Sequence, residues 1–514
     1  MRTRWTVGCA AAAAALFRVP GFFDPLWPDE AGFLLVARNW HPEADSPYGD
    51  YWVDRPPELI AFVRLSDAIG GAYFLRFVAA ALCSVMVVVA ARTAYLLVAR
   101  LDLGPGAPGR AARWAAVVAA AVNGNVMIDS VTAKGEVLGI PFVTTACWLA
   151  LEALRAPGRR ALMLAAGSGL AASLAIGLKQ NLVGGLLFGG VLLLGDALAG
   201  RLPWRRFAAL AAAAFVGTAL PVLATIGWAV GEGVRLSAIW YAWFGFRIDA
   251  NGVLDSQASD ASDARAWELV VIALLTGMAV VLAWLLAMAP RLWRADRVVT
   301  AALVAMLLVD VVGVVLGGSY WHQYLFNLVP DTALAAGLVV GLTGWPGAVM
   351  RVIGALTAVS SLVAFGTWTV DQVHGRPATT SSYSGRAVGT AAEPGDTIVV
   401  YGGRADTVLA SGLDSPYRYL WSLPMRTLDP HLTELRGLLT GPQPPTWVVL
   451  AVPTDSWDIP EGADLQHILD ADYTLQGEVC GRPVYLLAGL TRPPLVADCD
   501  EPWHPTAETG PPTH

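Results

Sequence analysis

The sequence predicts an α-helical polytopic membrane protein of about eleven transmembrane helices that carries a small C-terminal extracytoplasmic α/β domain. Three observations lead there. Apolar residues make up 55% of the chain and charged residues 15%, with a mean hydropathy of +0.53, outside the range of an ordinary soluble globule. Runs of the roughly 20 apolar residues needed to cross about 30 Å of hydrocarbon recur between residues 1 and 370. From residue 371 onward hydropathy falls, and 18 acidic residues face only 8 basic ones.

The apolar runs fall at 5–23, 74–99, 111–128, 137–154, 161–178, 182–199, 207–230, 267–289, 299–317, 324–343 and 349–370. Arginines mark alternate loops: Arg2 and Arg4, Arg100 with Arg110 and Arg113, Arg155 with Arg159 and Arg160, Arg201 with Arg205 and Arg206, then Arg291, Arg294 and Arg297. Positive residues in short loops stay in the cytoplasm. The N-terminus is therefore expected inside and the C-terminal domain outside, together with the loops carrying Asp29, Asp129, Lys179, Asp249 and His322. A cleaved signal peptide is the competing reading of the first run.

The expected organisation is a membrane domain over 1–370, an extracytoplasmic α/β domain over 371–500 and a disordered tail over 501–514. Apolar stretches at 397–401, 447–452 and 484–488 read as strands, and 430–439 reads as a helix. Cys9, Cys83 and Cys147 fall in predicted spans and read as packing residues. Cys480 and Cys499 flank the terminal strand in the part placed outside, where disulfides persist, and are expected to be bonded. No metal-ligand cysteine spacing, phosphate-binding glycine loop or nucleophile elbow occurs, which counts against nucleotide hydrolysis and thiol or serine catalysis. No nucleic-acid partner is expected.

Charges near the predicted outer ends of spans carry the chemistry. Trp27-Pro28-Asp29-Glu30 follows the first run, and Asp54-Arg55-Pro56-Pro57 lies later in the same loop. Lysine is rare, since only Lys134 and Lys179 occur among 34 basic residues, and both sit at predicted outer span ends. There an ammonium either holds a phosphate as a point charge or anchors a helix by snorkelling. Asp129 and Glu136 would share a helix face if their segment is helical, able to bind hydroxyls or a divalent cation; a solvated turn is the alternative. The loop 231–265 mixes Arg235, Trp240, Tyr241, Trp243, Arg247 and Asp249, which suits either sugar stacking or interfacial docking.

Four separated pieces, Pro28-Asp29-Glu30, Asp54-Arg55-Pro56-Pro57, Lys179 after a Gly-containing span end, and Tyr320-Trp321-His322-Gln323-Tyr324 leading to Pro330, together resemble the GT-C superfamily of membrane glycosyltransferases. The branch resembled includes protein O-mannosyltransferases and lipid A aminoarabinose transferases, although Arg55 stands where several relatives have Lys. The resemblance implies a multi-pass plasma-membrane enzyme that takes a sugar from a polyprenyl-phosphate donor and gives it to an extracytoplasmic glycan, lipid or protein acceptor. A hydroxyl nucleophile needs a carboxylate to accept its proton, and Asp29 is the expected general base. Glu30, about 100° round a helix from it, either assists catalysis, orients the acceptor, caps the helix or assists a cation. Departing phosphate needs cationic or hydrogen-bonding groups. Lys179, Arg55 and His322 are the expected binders, with Asp54, Lys134, Glu136 and Tyr324 as further substrate contacts; Arg55 is alternatively an ion-pair partner of Asp54. A transporter or flippase of a lipid-linked sugar and a non-catalytic envelope-assembly scaffold are the other functional readings.

Overall fold

The computed structural model describes residues 2–256, 260–373 and 381–500, so the tail expected at 501–514 lies outside the described residues. The chain forms two compact units from interleaved stretches. One comprises Met1–Phe22, Arg76–Gly227 and Asp260–Val370; the other comprises Phe23–Leu75, Trp228–Ser259 and Asp371–His514.

Among the described residues nine helices are long and apolar enough to cross a membrane: Arg2–Phe23, Pro57–Arg100, Gly135–Arg155, Gly158–Leu178, Trp204–Gly231, Met278–Ala295, Arg297–Val315, His322–Gly341 and Trp345–Asp371. The two remaining predicted runs form the shorter helices Ala107–Asn123 and Gly184–Leu198. The protein is thus a multi-pass membrane protein. One predicted run, 267–289, is not a single helix. It is divided between Asp260–Leu275 and Met278–Ala295, because Gly277 adopts the left-handed region at φ +77° and the Thr357 side chain occupies the space a Cβ would need.

Small residues let the first unit pack closely without much side-chain volume. A Cβ at Gly169 would collide with the Ala214 carbonyl and one at Gly217 with that of Ala166, so helices Gly158–Leu178 and Trp204–Gly231 meet backbone to backbone. The helix Val329–Gly341 is buried along its whole length and packs on Ala107–Asn123, with Gly337 set against Ala94 and Ala115.

The second unit is built on a four-stranded sheet, β1 (Ile398–Tyr401), β2 (Trp447–Leu450), β3 (Tyr473–Val479) and β4 (Arg482–Leu487), in spatial order β1-β2-β4-β3. The first pair is parallel and the other two antiparallel. Strands β1, β2 and β4 lie within about two residues of the predicted segments, a normal uncertainty in element ends. Strand β3 went unpredicted, since exposed positions dominate it and Gly477 interrupts its ladder at a register shift. Cys480 and Cys499 are disulfide-bonded with Cα atoms 5.5 Å apart.

The core of this unit reaches beyond the C-terminal third of the chain. Trp52 and Phe246 pack as tilted rings with centroids 4.5 Å apart and join Val399, Tyr401, Val448 and Leu450 in one apolar cluster. The Trp52 N–H donates to the Arg418 carbonyl at 3.0 Å, and Tyr51 Oη accepts from the Ser415 N–H at 3.1 Å. Segments that read as membrane loops in sequence are therefore part of the folded unit that contains the sheet.

Candidate active site

Asp29 and Glu30 begin the helix Pro28–Arg38, and the sequence explains why a helix starts there. Pro28 at the first helical position sets φ, and two acidic residues occupy the first turn. Glu30 is wholly buried, and its Oε2 accepts from the Trp27 N–H at 3.2 Å. Helix capping, one of the readings open for Glu30, is what this geometry provides. Asp29 is only half-buried, and its Oδ1 accepts from the Trp421 indole N–H at 3.1 Å. Among the described residues no cation pairs with it.

Trp421 comes from the C-terminal stretch of the same unit. Its ring lies 5.8 Å from Phe33, and a Cβ at Gly32 would collide with the indole. Glycine within a helix costs about 1 kcal/mol relative to alanine, and here it makes room for the ring that aims the N–H at Asp29.

Asp54 and Arg55 also belong to this unit. Arg55 Nη1 is 2.7 Å from Asp54 Oδ1, as the ion-pair reading expected, and the guanidinium lies 5.7 Å above the Phe33 ring. Arg247 pairs with the other oxygen, Asp54 Oδ2, so two guanidiniums bracket one carboxylate. The buried Tyr48 hydroxyl donates to the Arg55 carbonyl. Burial first, then the nearby Glu58 and Asp54 carboxylates, push its pKa well above the usual phenol value against Arg55, which keeps it a proton donor.

The first unit gathers a different set. Lys179, at the C-terminal end of Gly158–Leu178, places Nζ 2.8 Å from Glu136 Oε1 and 5.6 Å from the centroid of the Tyr324 ring. Lys134, at the start of Gly135–Arg155, places Nζ 3.3 Å from Asp129 Oδ2. Both lysines are about 5% exposed, so neither snorkels to water. Of the two readings open for Asp129 and Glu136, the shared helix face does not form: Asp129 adopts the left-handed region at φ +60° and the helix begins only at Gly135. Each carboxylate instead takes its own ammonium.

His322 does not share the partners of Tyr324. Its Nε2 lies 3.3 Å from Glu268 Oε2 at a partly exposed position, while Arg265 stacks 5.0 Å above Trp321. Sequence reading placed Asp310 within a span but missed Trp421, Glu268 and Asp331, whose carboxyl group lies beside that of Asp310 in the adjacent helix. The glycine at position 32 is the local sign of Trp421; nothing local announces the other two. Among the described residues no three His, Cys, Asp or Glu side chains gather to hold a metal ion.

No protein-family model matches the chain, and no curated protein sequence matches it. Solved structures do. ArnT from Cupriavidus metallidurans bound to undecaprenyl phosphate aligns with a TM-score of 0.59 at 14% identity, covering 96% of this chain and 100% of ArnT. Its apo state gives 0.56 at 14% identity, over 94% and 98%. The archaeal oligosaccharyltransferase AglB from Archaeoglobus fulgidus, in complex with an inhibitory peptide and a dolichol-phosphate, gives 0.55 at 12% identity, over 95% of this chain and 74% of AglB. These neighbours are GT-C proteins, ArnT being an aminoarabinose transferase. A nearly full-length likeness at such low identity speaks for the fold alone: this chain shares the fold of ArnT and of AglB.

Proposed function

We propose that the protein is a membrane glycosyltransferase that moves a sugar from a polyprenyl-phosphate donor to an acceptor hydroxyl on a glycan, lipid or protein outside the cytoplasm. In this reading the N-terminus is cytoplasmic, the 371–500 domain extracytoplasmic, and 1–370 the membrane domain. One observation carries it: within a GT-C fold, Asp29 is a half-buried carboxylate held by a neutral N–H donor in the first turn after the first span. An indole orients a carboxylate without taking its charge, which suits a proton acceptor.

The reaction is a direct displacement. Asp29 takes the acceptor proton as the acceptor oxygen bonds to the anomeric carbon; the bond from that carbon to the phosphate oxygen breaks, and its electron pair leaves with the polyprenyl phosphate. Charge-assisted hydrogen bonds stabilise the departing oxyanion. Arg55, paired beside Arg247 on Asp54, and Lys179, paired with Glu136, keep the phosphate-binding roles expected from the sequence. Asp54 fixes the two guanidiniums, Glu30 fixes the helix that bears Asp29, and Lys134, His322 and Tyr324 are assigned to substrate contact. Purified protein incubated with polyprenyl-phosphate sugars and envelope acceptors should release free polyprenyl phosphate in step with glycosylated acceptor. Release without Asp29-dependent transfer would end the proposal.

Asp310 and Asp331 favour the second reading, a flippase for a lipid-linked sugar, because acidic groups buried within spans mark transport routes. Reconstituted vesicles separate the two: a flippase moves the intact donor across the bilayer and breaks no bond.

A further inference from the structure

At the arginine-rich end of the membrane unit four span ends converge: Arg100 closes Pro57–Arg100, Arg155 closes Gly135–Arg155, Asp196 lies in the last turn of Gly184–Leu198, and Arg206 lies in the first turn of Trp204–Gly231. They enclose a cavity of about 440 Å³ whose charged lining is Arg100, Arg155, Arg201, Arg206 and Asp196, with leucines such as Leu151 and Leu154 as its apolar wall. Part of that charge is already balanced. Arg100 bridges Asp196 and Asp296 at 2.5 and 2.9 Å, and Arg201 bridges the same two carboxylates at 2.9 and 2.8 Å. This square holds the helix ends together.

Arg155 and Arg206 stand outside the square. Arg206 Nη2 donates to the Leu154 and Ala156 carbonyls at 3.0 and 2.7 Å, which satisfies donors and leaves the charge in place. Glu152, one turn before Arg155, feels its charge but is ion-paired to Arg92, and among the described residues no carboxylate forms an ion pair with Arg155 or Arg206. Span ends lie at headgroup depth, so the cavity combines three features at one level: two guanidiniums outside any ion pair, a leucine wall, and enough volume for a polar headgroup. Trp204, 56% exposed and packed edge-on against Phe207 in the same first turn, marks that level as the interface.

We propose that this cavity is a binding site for the phosphate of an anionic phospholipid, with Arg155 and Arg206 on the phosphodiester and the acyl chains along the leucines. The site is separate from the residues assigned to glycosyl transfer and stands without that assignment. Native mass spectrometry of the full chain in detergent, titrated with phosphatidylglycerol and with phosphatidylethanolamine, tests it. Phosphatidylglycerol should be retained preferentially, and Arg155→Gln/Arg206→Gln should weaken that retention by roughly 30-fold, at about fivefold per guanidinium. Arg159→Gln/Arg160→Gln, an equal charge loss on exposed residues of the adjoining turn outside the cavity, should leave it unchanged. If Arg206→Gln loosens the helix end it caps, the exposed Arg155→Gln alone should still give about a fivefold loss. Equal retention of the two lipids, an equal effect of the two double variants, or displacement by millimolar inorganic phosphate, which would make free phosphate the occupant, overturns the proposal.

Discussion

Two aspartates of the second unit accept a tryptophan indole N–H at the same 3.1 Å, Asp29 from Trp421 and Asp396 from Trp447, yet they sit in opposite circumstances. Arg492 grips Asp396 through Nε and Nη2 at 2.9 and 2.7 Å, and the carboxylate is almost fully buried. The hydrogen bonds from Arg492 outweigh burial and, with those from the Glu393 N–H and Trp447, hold its carboxyl at about 2. Asp29 has the indole and, among the described residues, no cation, and it remains half-exposed. The indole alone is thus an orienting device, and adding the guanidinium makes a carboxylate structural. The same contrast separates Asp29 from Glu136, whose partner is the Lys179 ammonium.

Removing the proton acceptor from Asp29 breaks this contrast most severely. Asp29→Asn keeps the size and the acceptor oxygen for Trp421 but loses basicity, and should lower turnover by about 10² to 10⁴-fold with folded protein retained. Wild-type turnover in the purified variant would remove Asp29 from the mechanism. For Glu136 the opposite is expected, with stability affected first. Lys179→Met leaves a buried carboxylate without its ammonium and should cost about 3–5 kcal/mol, most of which Lys179→Met/Glu136→Leu should restore. Unfolding in detergent measures this, while the double variant should still show a raised KM for the donor. A double variant with unchanged KM would make the pair structural only.

Trp421→Phe sharpens the comparison further. It keeps the ring beside Phe33 and Gly32 but deletes the N–H, so turnover should fall by about tenfold, the worth of one hydrogen bond that positions a reacting group. Donor KM should be unaffected, because the change touches orientation of the base. A shift in KM with constant kcat would place the indole on the substrate side instead.

What could be read in sequence follows from how local each signal is. Spans depend on runs of about 20 residues, and those runs largely held. The helix start at Asp29 rests on Pro28 and two acids within four positions, and its capping geometry followed. Trp421 is 392 residues away from Asp29, so no periodicity could announce their contact, and only Gly32 hinted that something large lay against the helix. Gly277 shows the same limit in reverse. Its run is apolar throughout, but one left-handed glycine divides it, and hydropathy is blind to φ. The lysines stood out by rarity, whereas their partners could not be read: a shared face for Asp129 and Glu136 depended on a helical segment, and Asp129 instead turns left-handed.

The smallest expected effect concerns the structural aspartate and appears only in acid. The carboxyl of Asp396 is lowered from 3.8 to about 2 in the folded protein, so its contribution to stability is fully present above the unfolded value and is lost as pH falls from about 4 through 2. Arg492 stays protonated across that window, and its charge is then left beside a neutral acid. Asp396→Asn should therefore flatten the acid-denaturation profile between pH 4 and 2 while leaving turnover at neutral pH unchanged, since Asp396 is bound to Arg492 and Trp447 and has no assigned part in transfer. Intrinsic tryptophan fluorescence against pH, read in the wild type and in the variant, measures the difference. A variant profile as steep as the wild type over that window would mean that the guanidinium does not control Asp396, and the contrast with Asp29 would then rest on burial alone.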